Sequence, residues 1–285
     1  MMNKRIGVIG VGIMGSGMAQ RLLEQGFQVV ACDRDAEKVA RLVALGATGA
    51  ASPAETASQA GTVILMLRDD ATVRTVLFGP AGALAAARPG TTFINSSTVT
   101  PGLVEEIAAA IEAKGCAFLD AEVTGSKAGA AVGKIGFLVC GRPEVIEAQR
   151  GLLNILGQSI TVFGRLGQSA TFKLANNQLA AVLVRAIGES LALCEAAGID
   201  RQTAVDALTA TAPRVCGLKK EKLLNRDWSC DFSLEFMLKD LDATLRTAAE
   251  LGVSMPLLAT AQEIYRRAVE SGAGALDCSV VAGAK

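Results

Sequence analysis

Arg5-Ile6-Gly7-Val8-Ile9-Gly10-Val11-Gly12-Ile13-Met14-Gly15-Ser16-Gly17-Met18-Ala19 decides how this chain is read. Arg5–Ile9 reads as a short buried strand, the following glycines as a turn, and Gly15–Gln25 as a helix. The spacing Gly10-x-Gly12-x-x-Gly15 gives each glycine a task. Gly10 permits the tight turn, Gly12 lets the backbone approach a pyrophosphate, and Gly15 lets the helix pack closely on the strand. The N–H groups at the helix start have no intrahelical partner and face the phosphates. The glycine spacing is weak evidence by itself. Here a strand precedes it, a helix follows it, and Asp33 ends the second strand, Phe27–Asp33, about twenty residues on. A carboxylate there accepts hydrogen bonds from ribose hydroxyls; the alternative is a solvated strand-end acid. Asp33 and Asp35 repel a 2′-phosphate and favour NAD, whereas Arg34 can pair with that phosphate, so NADP stays open.

Outward from this stretch, strands alternate with helices. Thr62–Leu67, Thr91–Asn95, Ala117–Asp120, Ile135–Cys140 and Ser159–Phe163 read as strands, which argues for a doubly wound parallel sheet of Rossmann type. After about Gly167 the strand signal ends. Ser169 to about Ala197 is a long, nearly all-apolar helical stretch, followed by helices at Arg201–Thr211, Gly217–Leu224, Ser233–Leu251 and Met255–Ser271. We therefore expect an α/β fold: a dinucleotide-binding domain over residues 1–165, joined by the long helix to an all-α domain over residues 166–285.

Composition narrows the function classes. Lys+Arg and Asp+Glu both number 28, so no basic excess points to nucleic acid. No apolar run has membrane-spanning length, and the chain enters its first strand without a secretory leader, so no membrane partner and a cytoplasmic location are expected. The cysteines, Cys32, Cys116, Cys140, Cys194, Cys216, Cys230 and Cys278, form no CxxC pair and read as free thiols. The chain has no histidine. That removes Ser-His-Asp chemistry and imidazole zinc sites, so no metal is expected and Lys, Asp, Glu, Tyr or Cys must move any proton.

Lys173 stands near the start of the apolar helix, and Asn177 follows it by one turn on the same face. Desolvation there lowers a lysine pKa toward the working pH, which suits an acid/base group. The alternative is a lysine snorkelling near a helix start. Asp120-Ala121-Glu122-Val123-Thr124-Gly125-Ser126-Lys127 follows a strand at the sheet edge where open α/β sheets bind ligands. Its hydroxyls and exposed N–H groups suit a carboxylate; the alternative is an ordinary polar loop.

Together these features resemble the β-hydroxyacid dehydrogenase family, which includes 3-hydroxyisobutyrate dehydrogenase, tartronate semialdehyde reductase and the glyoxylate/succinic semialdehyde reductases. The resemblance spans essentially the whole chain. It rests on Gly10-Val11-Gly12-Ile13-Met14-Gly15, Asn95-Ser96-Ser97-Thr98, Thr124-Gly125-Ser126, Gly164-x-x-Gly167 ahead of Lys173-x-x-Asn176-Asn177, and Lys239-Asp240. Ser254-Met255-Pro256 and Leu276-Asp277-Cys278-Ser279 look most like the glyoxylate/succinic semialdehyde branch. The resemblance implies that Lys173 is the catalytic lysine and Asn177 the amide that positions it and the substrate oxygen. It implies substrate contacts at Thr124, Gly125, Ser126, Phe232 and Asp240. It also implies that Thr98 lies near the nicotinamide and that Lys239 touches the cofactor. The candidate cofactor-binding residues are then Gly10, Gly12, Ile13, Met14, Gly15, Asp33, Arg34, Leu67, Thr98 and Lys239.

The chain departs from the family pattern at several positions. Glu122 replaces the usual proline and adds a charge near the site. Thr124 stands for serine, Ser169 for glycine, and Arg68 for proline. Asp33 and Asp35 replace the Asn and Thr of the NADP-type pattern. The expected activity is hydride transfer between NAD(P) and a small carboxylate bearing an aldehyde or alcohol. The rivals are an imine reductase, which usually lacks the lysine, and a non-catalytic cofactor-binding scaffold. The long helix is too apolar for one small domain to cover, so a homodimer or homotetramer is expected, as in the family.

Overall fold

Eight strands form one sheet in the order β3-β2-β1-β4-β5-β6-β7-β8. The computed structural model describes residues 5–211 and 213–283; the side chains at 189, 192, 193, 196, 211 and 213–218 lie outside that description, Cys216 among them. The chain runs β1 (Arg5–Ile9), α1 (Ile13–Glu24), β2 (Gln28–Cys32), α2 (Ala36–Val43), β3 (Thr48–Gly49), α3 (Pro53–Gln59), β4 (Thr62–Leu65) and α4 (Asp70–Phe78). It continues through α5 (Ala83–Ala86), β5 (Thr92–Asn95), α6 (Pro101–Ala113), β6 (Ala117–Thr124), α7 (Lys127–Ala131), β7 (Ile135–Gly141), α8 (Pro143–Leu156) and β8 (Gly157–Val162).

The strands from β3 to β6 pair in parallel. β7 runs antiparallel to β6, and β8 parallel to β7. The sheet is therefore mostly parallel rather than wholly so. The link from Gly125 to Lys134 is shorter than the dozen or so residues a parallel crossover needs, so β7 must return antiparallel. That pairing also lengthens β6 beyond the expected Ala117–Asp120, because its register continues to Thr124 opposite Gly136.

Both faces of the sheet are covered, which explains the nearly continuous apolar strands. Ile6, Val8, Ile64, Ile94, Leu119, Ala121 and Val123 pack with Met18 and Leu22 of α1 and Leu152, Leu153 and Leu156 of α8. Val63, Leu65, Phe93 and Phe118 point the other way and pack with Leu103, Ile107 and Ile111 of α6. The period of two along β6 puts Asp120 and Glu122 on this second face with Phe118.

The helical part comprises α9 (Gln168–Ala196), α10 (Arg201–Thr211), α11 (Pro213–Asn225), α12 (Leu234–Glu250) and α13 (Pro256–Ala268), then a π turn over Val269–Ala273 and a 3-10 helix over Cys278–Gly283. The chain divides into two compact units, Met1–Lys173 and Leu174–Lys285. The expected boundary near residue 165 precedes α9, whereas this division falls inside it, because Ala170 in its first turn belongs to the sheet core.

Within the second unit, α9 buries Ala181, Val184, Ile187 and Leu191 against Val205, Leu241, Tyr265 and Val281. Tyr265 donates its hydroxyl to Ala181 O at 3.0 Å, and Arg185 donates to Val281 O at 2.9 Å. At Gly188 an added Cβ would lie 2.3 Å from Ala282 O, so only glycine lets the C-terminal segment approach this closely. Much of the apolar helix is thus covered by its own chain. The premise that one small domain cannot cover it does not hold for these residues, although Leu179 remains exposed. Among the described residues no helix is long and apolar enough to cross a membrane.

Candidate active site

The carboxyl ends of β1, β2, β4, β5 and β6 share one edge of the sheet. Gly10, Asp33, Leu67, Thr98 and Gly125 leave from there. The glycine turn divides its work as the sequence indicates, with one change. Gly10 has φ +92°, and an added Cβ would lie 2.2 Å from Met66 O. At Gly15 a Cβ would lie 2.0 Å from Gly10 O, so this glycine protects the turn itself as well as the helix packing. At Gly12 a Cβ would meet nothing within 4 Å. Gly12 is the N-cap of α1, at φ −70° and ψ −154°, with no side-chain cap. The N–H groups of Ile13, Met14 and Gly15 open the helix there. This cradle fits a dinucleotide pyrophosphate.

Asp33 is fixed against that turn. Its Oδ2 accepts from Val11 N at 2.9 Å and its Oδ1 from Asp35 N at 3.0 Å. A carboxylate has about four lone-pair sites, so capacity remains for ribose hydroxyls. Asp35 has another duty than adding charge. It caps α2, accepting from Glu37 N at 3.1 Å, and lies 3.3 Å from Lys38 Nζ. The carboxylate argument for NAD therefore rests mainly on Asp33, while Arg34 is exposed.

Beyond β4 and β5 a buried polar network ties the loops together. Ser97 Oγ accepts from Leu67 N at 2.9 Å, and Ser97 N donates to Asn95 Oδ1 at 3.2 Å. Asn95 Nδ2 donates to Asp120 Oδ1 at 2.8 Å, and Ser169 Oγ donates to Asp120 Oδ2 at 2.6 Å. Sequence reasoning missed this network. Its partners lie 25 and 49 residues apart, and the available signal was a polar Asn95 and Asp120 ending otherwise apolar strands.

Glu122 differs from the expectation. It lies within β6, wholly buried, rather than as a charge in a loop. Neither carboxyl oxygen meets a partner at full hydrogen-bond geometry. A buried polar group left so costs about 1–3 kcal/mol, and more when charged. Burial and the neighbouring Asp120 charge push its carboxyl well above the usual range, while the charge of Lys173 pulls it down. Burial also pushes Asp120 up to about 6, against the hydrogen bonds from Ser169 and Asn95. The departures at Glu122 and Ser169 thus fall in one cluster, next to Lys173.

Thr124 ends β6, and its Oγ1 donates to Gly136 O at 3.4 Å. Gly125 has φ +129°, which favours glycine, and the Ser126 hydroxyl accepts from Gly129 N at 3.2 Å to cap α7. In the second unit the structure gathers three more expected residues. Asn177 Nδ2 donates to Asp240 Oδ2 at 2.5 Å, and Lys239 Nζ lies 2.6 Å from Asp240 Oδ1. Asp240 is buried and held by both. Phe232 packs at 6.3 Å from Phe236, and its N–H donates to Asp277. Among the described residues no cluster of His, Cys, Asp or Glu could hold a metal, and the six described cysteines are free.

The family model described as the NAD binding domain of 6-phosphogluconate dehydrogenase matches residues 5–164. The model described as NAD-binding of NADP-dependent 3-hydroxyisobutyrate dehydrogenase matches residues 167–284. The chain is 35% identical to 3-sulfolactaldehyde reductase of Escherichia coli, covering 97% of this chain and 94% of that protein. It is 32% identical to glyoxylate/succinic semialdehyde reductase 1 of Arabidopsis thaliana, covering 97% and 96%. The crystal structure of 3-hydroxyisobutyrate dehydrogenase from Salmonella typhimurium superposes with a TM-score of 0.90 at 29% identity, covering 98% of this chain and 99% of that one. With its glycine cradle, its two-part fold and these matches along its whole length, the chain belongs to the β-hydroxyacid dehydrogenases, NAD(P)-dependent enzymes of hydroxyacids and semialdehydes.

Proposed function

We propose that the chain is an NAD(H)-preferring oxidoreductase that interconverts a small semialdehyde or 2-oxo acid and the corresponding hydroxy acid, with succinic semialdehyde and glyoxylate the first substrates to test. One observation carries the proposal: the Gly10–Gly15 turn and the N–H groups opening α1 form a dinucleotide cradle at the carboxyl edge of the sheet, the same edge from which the Thr124-Gly125-Ser126 loop leaves β6.

In reduction, Lys173 as ammonium protonates the oxygen of the developing alkoxide; in oxidation the amine takes the proton back. Asn177, one turn further on the same helix face, orients that oxygen. Thr124, Gly125 and Ser126 hold the carboxylate and so align the carbonyl. When bound, the nicotinamide supplies or accepts the hydride. Gly10, Gly12, Ile13, Met14 and Gly15 hold its pyrophosphate, Asp33 and Arg34 flank the ribose, and Leu67, Thr98 and Lys239 complete the cofactor contacts. Phe232 and Asp240 are assigned to the substrate on the family match alone, with residues 166–285 as the substrate and oligomerisation domain. The lysine argues against an imine reductase or a non-catalytic scaffold.

The test is NADH consumption across semialdehydes, 2-oxo acids, 3-sulfolactaldehyde and uncharged aldehydes of equal length. Carboxylates should turn over well ahead of uncharged aldehydes; equal rates overturn the carboxylate loop. Lys173→Ala should fold, bind cofactor and lose at least about a hundredfold in kcat. Near-wild-type turnover in that variant overturns the mechanism.

A further inference from the structure

We propose that Glu122 is the proton partner of Lys173, returning a proton to its amine after that amine has protonated the substrate oxygen. The inference rests on the reading of Lys173 given above.

The geometry begins with a matched register. Ser169 on α9 touches Asp120 on β6 at 2.6 Å. Four residues along the helix advance about 6 Å, and two residues along the strand about 7 Å. The charge of Lys173 acting on Glu122, and not on the apolar Phe118 at the other side of Asp120, sets the sense: α9 and β6 run alike here, and the next pair is Lys173 and Glu122. Lys173 is the cation whose charge acts on Glu122.

The two acids of β6 are not equivalent. Asp120 fills one oxygen from Asn95 and the other from Ser169, both donors, so it is built as the anion. Glu122 is equally buried, and neither oxygen meets a partner at full hydrogen-bond geometry, its looser polar neighbours being Asp120 and Ser169. It is the acid placed to keep its proton until a base appears, and the Lys173 amine is that base. The groups facing this pair are Asn95 on β5, Cys140 opposite Asp120 on β7, and Ser169 and Lys173 on α9. Burial pushes the Cys140 thiol up to about 11, so it stays neutral. Burial and the Asp120 charge push Glu122 the same way, toward keeping its proton.

The protons balance as follows. In reduction the Lys173 ammonium gives one proton to the alkoxide and becomes an amine. The Glu122 O–H bond breaks, its proton forms an N–H bond on that amine, and a carboxylate faces an ammonium. After product leaves, one solvent proton restores Glu122. No electron moves in this relay, and one solvent proton is consumed per hydride. Oxidation runs the same steps backward. Glu122 acts through Lys173 and is a positioning residue.

The experiment measures kcat and KM against pH in both directions for the wild type, Glu122→Gln, Glu122→Asp and Lys173→Ala, with cofactor affinity as the check on folding. Glu122→Gln should lower kcat in reduction by roughly tenfold or more, a small share of an acid/base effect. Its KM and cofactor affinity should stay near wild type, and the wild-type fall in kcat with rising pH should change position or vanish. Glu122→Asp should recover part of the loss. Wild-type kcat and pH profile in Glu122→Gln, with Lys173→Ala inactive, overturns the Glu122 relay alone. An active Lys173→Ala overturns both readings. If neither Glu122 variant folds, infrared spectroscopy of the wild-type protein decides. A protonated-carboxylic-acid band that disappears in step with reductive kcat supports the relay, and its absence at neutral pH overturns it.

Discussion

Glycine 12 offers the sharpest separation of folding from cofactor binding. Its backbone, at φ −70° and ψ −154°, is open to any residue, and a Cβ there meets nothing within 4 Å. Gly12→Ala gains about 0.4–1 kcal/mol from a less mobile unfolded chain. It loses a few tenths to about 1 kcal/mol because alanine is a poorer N-cap than glycine. The two nearly cancel, so the melting temperature should move by no more than about 2–4 °C. The added methyl nevertheless stands where the pyrophosphate must approach the helix start. A loss of at least roughly tenfold in NADH affinity, about 1.4 kcal/mol, is expected. Gly10→Ala is the contrast. It places alanine at φ +92° with its Cβ 2.2 Å from Met66 O, so the backbone has to move. The left-handed conformation alone costs about 1–2 kcal/mol, and Gly10→Ala should melt well below both wild type and Gly12→Ala. Differential scanning fluorimetry and NADH fluorescence titration read the two effects separately. Wild-type NADH affinity in Gly12→Ala, or a lower melting temperature for Gly12→Ala than for Gly10→Ala, refutes the reasoning.

NADH should give a higher kcat/KM than NADPH, because Asp33 is fixed on the glycine turn; an NADPH preference would mean that the exposed Arg34 decides. Folding stability should fall as pH rises from about 4 through 6 and beyond. Asp120, pushed up to about 6, and Glu122, also pushed well above the usual range, hold protons in the folded state at pH values where unfolded carboxyls have lost them. The difference in urea-unfolding stability between pH 5 and pH 8 should therefore be larger for wild type than for Glu122→Gln; an equal difference would refute this. In solution a homodimer or homotetramer is expected, since Leu179, Leu251, Val253 and Leu257 stay exposed on the second unit; a one-chain mass by light scattering at micromolar concentration would refute it.

What the sequence made legible was local. The glycine turn, Asp33 and the Lys173–Asn177 spacing each lie within one element or a single turn, where period and backbone sterics suffice. What it hid depends on partners distant in the chain. Asp35 read as a charge near the cofactor, yet it caps the helix that follows. Glu122 read as a loop charge because the length of β6 is set by pairing with β7. Asn95, Asp120 and Ser169 carried no shared motif, and only the packing of β5, β6 and α9 brings them together. Asp240 read as a substrate contact, while its hydrogen bond with Asn177, 63 residues away in sequence, left no signal in the sequence. The cover on α9 comes from Tyr265 and Val281, 84 and 96 residues from the groups they meet.

The buried acids of β6 sit in a chain with no histidine. Between pH 5 and 8 almost no ordinary side chain changes charge here, since histidine is the one that normally does. Proton counting is usually blurred by a dozen surface imidazoles; in this molecule the background is nearly silent. Calorimetry of NADH or substrate binding, repeated in buffers of different ionisation heat, would report proton uptake or release from Asp120, Glu122 and Lys173 above a quiet background. The molecule thus lends itself to following a single internal proton through a hydride-transfer cycle without isotopic labels.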